Sequence, residues 1–167
     1  MKNVPDDMYA AAESVFAAFL NMGKTLATAE SCTGGLLGAA LTSVPGSSDF
    51  YLGGVISYAN EAKTALLGVG AEHLRTKGAV DEDTARMMAL GVMERTGAEI
   101  AVSITGVAGP SGGSPDKPVG TVFVCYADGE NEKVVRYNFT GDRGAIRGQT
   151  VMAVLNELAQ FAALRRK

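Results

Sequence analysis

The sequence predicts an α/β fold, a three-layer α/β/α sandwich around a mixed, mostly parallel central sheet. Three observations carry this. Strand-like and helix-like segments alternate through the first two thirds of the chain, which favours parallel strands joined by helices. Residues 98–104 and 119–126 are near-continuous apolar runs, as strands covered on both faces require. Asp128-Gly129 then reads as a hairpin-type turn into 133–139, which adds an antiparallel edge.

In order, residues 5–22 have helical apolar spacing at Met8, Ala11, Ala12, Val15, Phe16, Phe19 and Leu20. Pro5 is acceptable near the start and Gly23 is the stop. Residues 24–29 read as a strand, 36–44 as a helix opening straight from a tight turn, and 50–58 as a second strand. Two short helices follow over 60–67 and 71–76. Asp81 is the expected N-cap of a longer one that buries Ala85, Met88 and Val92. The last helix spans about 143–164, with Asp142 as its cap. Neither a repeat nor a linker divides the 167 residues, so one domain over 1–167 is expected. The long irregular stretch is 106–118, with four glycines and three of the five prolines. Such loops in compact domains are usually functional or mobile.

Composition narrows the chemistry. The net charge is −3, with 15 Lys+Arg against 18 Asp+Glu, so no broad nucleic-acid surface is expected. One His and two widely separated Cys make no metal cluster, so neither metal nor cofactor is expected. Any histidine-based triad has to use His73, which has no carboxylate or nucleophile at a meaningful spacing and reads as a surface or capping residue. The segment 1–20 is amphipathic rather than continuously apolar. No signal peptide or membrane span is therefore expected, and a cytoplasmic location is.

Three loops follow apparent strands, where open α/β sheets bind ligands. The first is Thr28-Ala-Glu30-Ser31-Cys32-Thr33-Gly34-Gly35. A serine in a strand-to-helix turn presents its hydroxyl beside free helix N-terminal amides, which suit an oxyanion or phosphate. Gly34 and Gly35 let a ligand approach the backbone. The competing reading is a cap, with Ser31 or Thr33 satisfying the first turn. The hydrolase elbow G-x-S-x-G is absent. The second is Tyr58-Ala-Asn60-Glu61-Ala-Lys63. If Asn60 caps the next helix, Lys63 sits at its third position, where the dipole disfavours an ammonium. That is worth roughly 0.3–1 kcal/mol. Moving a lysine from about 10.4 to near 7.5 takes about 4 kcal/mol, so burial has to supply the rest. A solvated surface lysine, and a Tyr58 that only packs, are the alternatives. The third loop contains Thr105, Gly106, Ala108, Gly109 and Gly112. It matches no known phosphate-loop fingerprint, yet its amides suit a ligand; a mobile surface loop is the alternative. On the last helix, Arg143 and Arg147 lie one turn apart at the N-terminal end, poorly placed for the dipole and well placed to meet an anion.

Together, the segments TAESCTGG (28–35), YANEAK (58–63), SITGVAGPSGG (103–113), KPVGTV (117–122) and GDR (141–143) resemble the CinA C-terminal family, the nicotinamide-nucleotide amidases, over about residues 8–163. The resemblance implies an α/β/α sandwich that hydrolyses nicotinamide mononucleotide to nicotinate mononucleotide and ammonia. It implies a serine nucleophile assisted by lysine and tyrosine, which fall on Ser31, Lys63 and Tyr58. Substrate contacts are then expected from Glu30, Cys32, Thr33, Gly34, Gly35, Asn60, Thr105, Gly106, Ala108, Gly109, Gly112, Arg143 and Arg147. The family often carries an N-terminal nucleotide-pyrophosphatase-like domain; none is expected here, and no such activity. A homo-oligomer is compatible with the resemblance, and a nucleotide-binding or protein-interaction module without turnover is the alternative function.

Overall fold

A computed structural model describes residues 4–164. Five strands form one sheet in the order β2-β1-β3-β4-β5. They are β1 (Leu26–Glu30), β2 (Tyr51–Ile56), β3 (Ile100–Gly106), β4 (Thr121–Ala127) and β5 (Glu132–Asn138). β1 pairs in parallel with β2 and β3, whereas β3–β4 and β4–β5 are antiparallel. Only β4 therefore runs against the other four, which gives the expected mixed sheet. The helices are α1 (Asp6–Met22), α2 (Leu36–Thr42), α3 (Asn60–Leu67), α4 (Ala71–Thr76), α5 (Glu82–Thr96) and α6 (Arg143–Leu164).

Side-chain alternation along the strands sorts these helices into two layers. Leu26, Ile100, Val102, Ile104, Val122 and Val124 point to one face and pack with α1, α2 and α6. Their neighbours Ala27, Ala29, Ala101, Cys125 and Ala127 point the other way, toward α5. The α5 face is thus built from small side chains, and the helix comes close to the sheet. Ser103 Oγ donates to the Ala85 carbonyl of α5 at 2.5 Å. α3 crosses α5 at Gly91, where a Cβ would stand 2.0 Å from the Leu67 carbonyl oxygen.

The caps are largely those the sequence predicts. Gly23 ends α1 at φ 67°. Asp81 accepts from Asp83 N–H at 3.0 Å, and Asp142 from Ala145 N–H at 2.8 Å. α3 differs. Its N-cap is Ala59, in extended backbone, and Asn60 is already the first helical residue, with no capping bond. Lys63 is therefore the fourth residue of α3 rather than the third, and its own N–H makes a 3.2 Å intrahelical bond to Ala59 O. Among the described residues no helix is long and apolar enough to cross a membrane.

Candidate active site

The parallel strands β2, β1 and β3 end together, and the chain leaves the sheet there through three adjacent turns. Glu30 pairs with Ile56 on one side and Ile104 on the other, so the next residues, Ser57, Ser31 and Thr105, stand abreast at the sheet's C-terminal edge. Ser57 N–H donates to Glu30 O at 2.8 Å, and Ser31 N–H to Ile104 O at 2.9 Å, extending the pairing by one step. Ser31 is thereby held by the sheet rather than by a loose loop.

Lys63 reaches this row from α3. Its side chain is fully buried, at 0% exposure. Nζ lies 2.9 Å from Ser31 Oγ, 2.8 Å from Ser57 O and 3.2 Å from Tyr58 O. All three partners are uncharged oxygens. Burial pushes the lysine pKa below its ordinary 10.5, only partly opposed by the nearby Cys32 thiol. A neutral amine fits the same geometry: its two N–H groups go to the two carbonyls, and its lone pair faces the Ser31 hydroxyl. The lysine expected from sequence is thus brought to Ser31, and desolvation rather than the helix dipole does most of the work.

Tyr58 is placed differently from a proton relay. It is 60% exposed, and its hydroxyl accepts from Arg143 Nη2 at 2.9 Å; toward Lys63 it presents only its main-chain carbonyl. Arg143 also donates through Nη1 to Gly109 O at 2.9 Å, so it bridges the β3–β4 loop and the β2–α3 turn. Beneath that bridge lies a cleft of about 280 Å³, close to the lower end of small-ligand pockets. Ser31, Cys32, Tyr58, Lys63, Thr105, Gly106, Ala108, Gly109, Gly112 and Arg143 all line it. No carboxylate does, so the cleft is cationic. The Cys32 thiol in its wall is pushed up to about 11 by burial, which keeps it protonated at neutral pH.

The remaining expected contacts lie elsewhere. Glu30 is 2% exposed and turns away from the cleft, into the N-terminus of α2. Its carboxylate accepts from Gly35, Leu37 and Gly38 N–H at 3.0, 3.2 and 2.8 Å. Those are the helix amides the sequence suggested for an oxyanion or phosphate, and neither Ser31 nor Thr33 is their cap. Among the described residues no carbonyl engages the N–H groups of Cys32 and Thr33, one and two residues after Ser31, and of the two only Cys32 lines the cleft. Thr33 itself is buried, and Gly34 and Gly35 (φ 60° and 91°) shape the turn without lining the cleft. Asn60, one turn before Lys63 on α3, lines a separate groove of about 540 Å³ beside α4, with Thr64 and Leu74, and not the cleft. Arg147 binds the turn's backbone, donating to Thr33 O at 2.7 Å. His73 contacts Thr84 and Asp81 and is not in the cleft.

Ala79, Val80, Val107 and Ser111 complete the cleft and were not legible in the sequence. Ala79 offers only its carbonyl, which accepts from Thr105 Oγ1 at 2.6 Å, so no side-chain pattern marks it.

An α/β/α sandwich with a buried serine–lysine pair at the end of its parallel strands defines the class of protein. The CinA C-terminal domain model matches residues 8–162, and the chain belongs to that family. A CinA-like protein of Thermotoga sp. (strain RQ2) is 49% identical over 138 residues, which is 83% of this chain and 34% of that protein. One from Salinibacter ruber is 52% identical over 133 residues, 80% of this chain and 32% of that protein. The chain thus spans about a third of the length of these relatives. Among solved structures, the competence/damage-inducible protein CihA of Agrobacterium tumefaciens superposes with a TM-score of 0.91 at 41% identity, covering 96% of this chain and 98% of that one. A CinA superfamily protein from Klebsiella pneumoniae 700603 gives 0.90 at 37%, covering 93% and 98%.

Proposed function

We propose that the protein is an amidase that hydrolyses the carboxamide of nicotinamide mononucleotide, releasing ammonia and nicotinate mononucleotide. The observation that carries this reading is the fully buried Lys63, its Nζ 2.9 Å from Ser31 Oγ and bonded only to uncharged oxygens. A lysine held in this way gives up its proton more readily than an exposed one, which suits it to act as the base that activates its neighbour.

Ser31 Oγ attacks the carboxamide carbon while its proton passes directly to Lys63 Nζ. The oxygen that gains charge in the tetrahedral intermediate accepts from the N–H group of Cys32, which lines the cleft next to Ser31. As the C–N bond breaks, Lys63 returns the proton to the nitrogen, and ammonia leaves an ester on Ser31. Water then attacks the ester carbon and gives its proton to Lys63. The acid departs and Ser31 is restored as the alcohol. Arg143 and the amides of the β3–β4 loop hold the phosphate, in a cleft without a carboxylate to repel it. Tyr58 positions Arg143 and carries no proton.

The test is ammonia release from nicotinamide mononucleotide. Ser31→Ala and Lys63→Met are each expected to lower turnover by at least about a thousandfold, on the scale of nucleophile loss in serine hydrolases, with the folded circular dichroism spectrum retained. Calorimetric binding of the nucleotide by wild-type protein without turnover would replace the amidase with a binding module.

A further inference from the structure

Arg147 stands one turn beyond Arg143 on α6 and does not line the cleft. Its Nη2 donates to Thr33 O at 2.7 Å and lies 3.6 Å from where a Cβ on Gly34 would be. Its Nε is buried without a partner. This is a cation committed to one carbonyl of the turn that follows the nucleophile.

That carbonyl belongs to the Thr33–Gly34 peptide, whose N–H end is also fixed, by Gly34 N donating to Ser31 O at 3.0 Å. Leu36 N–H adds a 3.2 Å bond to the same Thr33 oxygen. A peptide ending on a glycine at φ 60° is the easiest plane in the turn to rotate, because the following residue has no Cβ to resist. Upstream in the same turn is the Cys32 N–H group, which no carbonyl engages and whose residue lines the cleft. Release of the Thr33 carbonyl would let the 31–34 turn relax and carry that amide with it. The Thr33 hydroxyl, fully buried and unpartnered, provides no alternative tether.

We propose that Arg147 is a positioning residue: it clamps the Thr33 carbonyl so that the turn holds the Cys32 amide aimed at the oxyanion, and it does not hold the substrate's phosphate. The proposal rests on the amidase reading for its substrate but not for its geometry, so two assays separate the two. In the first, wild type, Arg147→Met and Arg147→Lys are compared on nicotinamide mononucleotide and on nicotinamide riboside, which carries the same carboxamide without the phosphate. The expected result for Arg147→Met is a fall in kcat of roughly 10- to 100-fold, below the loss of a whole oxyanion donor. KM should change less than about twofold, equally for each substrate that wild type turns over, with partial recovery in Arg147→Lys. A rise in KM confined to the mononucleotide would overturn the proposal in favour of a phosphate ligand. A lowered Tm with kcat unchanged would overturn it in favour of packing alone.

In the second assay, a fluorophosphonate labels Ser31 with loss of fluoride whether or not either compound is the substrate, since its phosphoryl oxygen needs the same amide. Slower labelling of Arg147→Met supports the clamp, and labelling at the wild-type rate overturns it. Wild type that labels but hydrolyses neither compound overturns the amidase reading and leaves the labelling comparison to decide the clamp. Wild type that does not label overturns both.

Discussion

At the scale of single residues, the site turns on where Lys63 keeps its proton. Its pKa is lowered by burial, so the basic form becomes available below the ordinary lysine range. kcat/KM should climb about tenfold per pH unit while Lys63 is still charged, and level off above its folded pKa, which lies below 10.5. The same shift has a signature in stability. Between the folded pKa and 10.5 the unfolded chain binds the extra proton, so stability rises with pH across that window. Below it, the cost of keeping the ammonium buried is fully present. Lys63→Met should lack that rise, which pH-dependent denaturant titration of the two proteins will read as a difference. Ser31, Lys63 and Arg143 were legible in the sequence because each carries chemistry in a turn after a strand or at a helix start. Glu30 was misread for the same reason. A carboxylate beside a nucleophile resembles a ligand contact, and only the strand's alternation, which turns it to the α2 face, shows otherwise.

At the scale of elements, the reach of Lys63 depends on how closely α3 approaches α5. Gly91 makes that approach: a methyl group there would meet the Leu67 backbone at 2.0 Å, and backbone cannot step aside as a flexible side chain does. Gly91→Ala is expected to cost about 1–3 kcal/mol through overpacking, seen as a lower denaturation midpoint. Turnover should fall further than stability alone explains, because α3 moves with its lysine. Strand and helix identities were readable from periodicity, down to the antiparallel edge. Boundaries were less so: β1 begins at Leu26 rather than at residue 24, and α3 takes Ala59 instead of Asn60 as its cap. Ala59 offers no side chain to signal it, and the local backbone is set by the turn leaving β2.

At the scale of the molecule, the row of Ser57, Ser31 and Thr105 is a product of topology. Parallel strands β2, β1 and β3 end at one level, and three connections leave from that level. A serine, a lysine-bearing helix and a glycine-rich loop then converge without any being close in sequence. α6 closes the arrangement from the far end of the chain with Arg143 and Arg147. Sequence alone could name most of these parts. It could not say that the two arginines diverge, one over the cleft and one behind the turn, since one helical turn separates them and both look equally suited to an anion.

The carboxylate of Glu30 changes which small ions can interfere with the protein. Strand-to-helix turns of nucleotide-binding folds are open to sulfate and inorganic phosphate, because their amides accept any compact anion. Here three of those amides are taken by a side chain covalently attached one residue before the nucleophile. A free oxyanion has no vacancy at those three and is left with Arg143 and the amides of the β3–β4 loop. Inorganic phosphate is therefore expected to inhibit only in the millimolar range, competitively, and to lose even that in Arg143→Met.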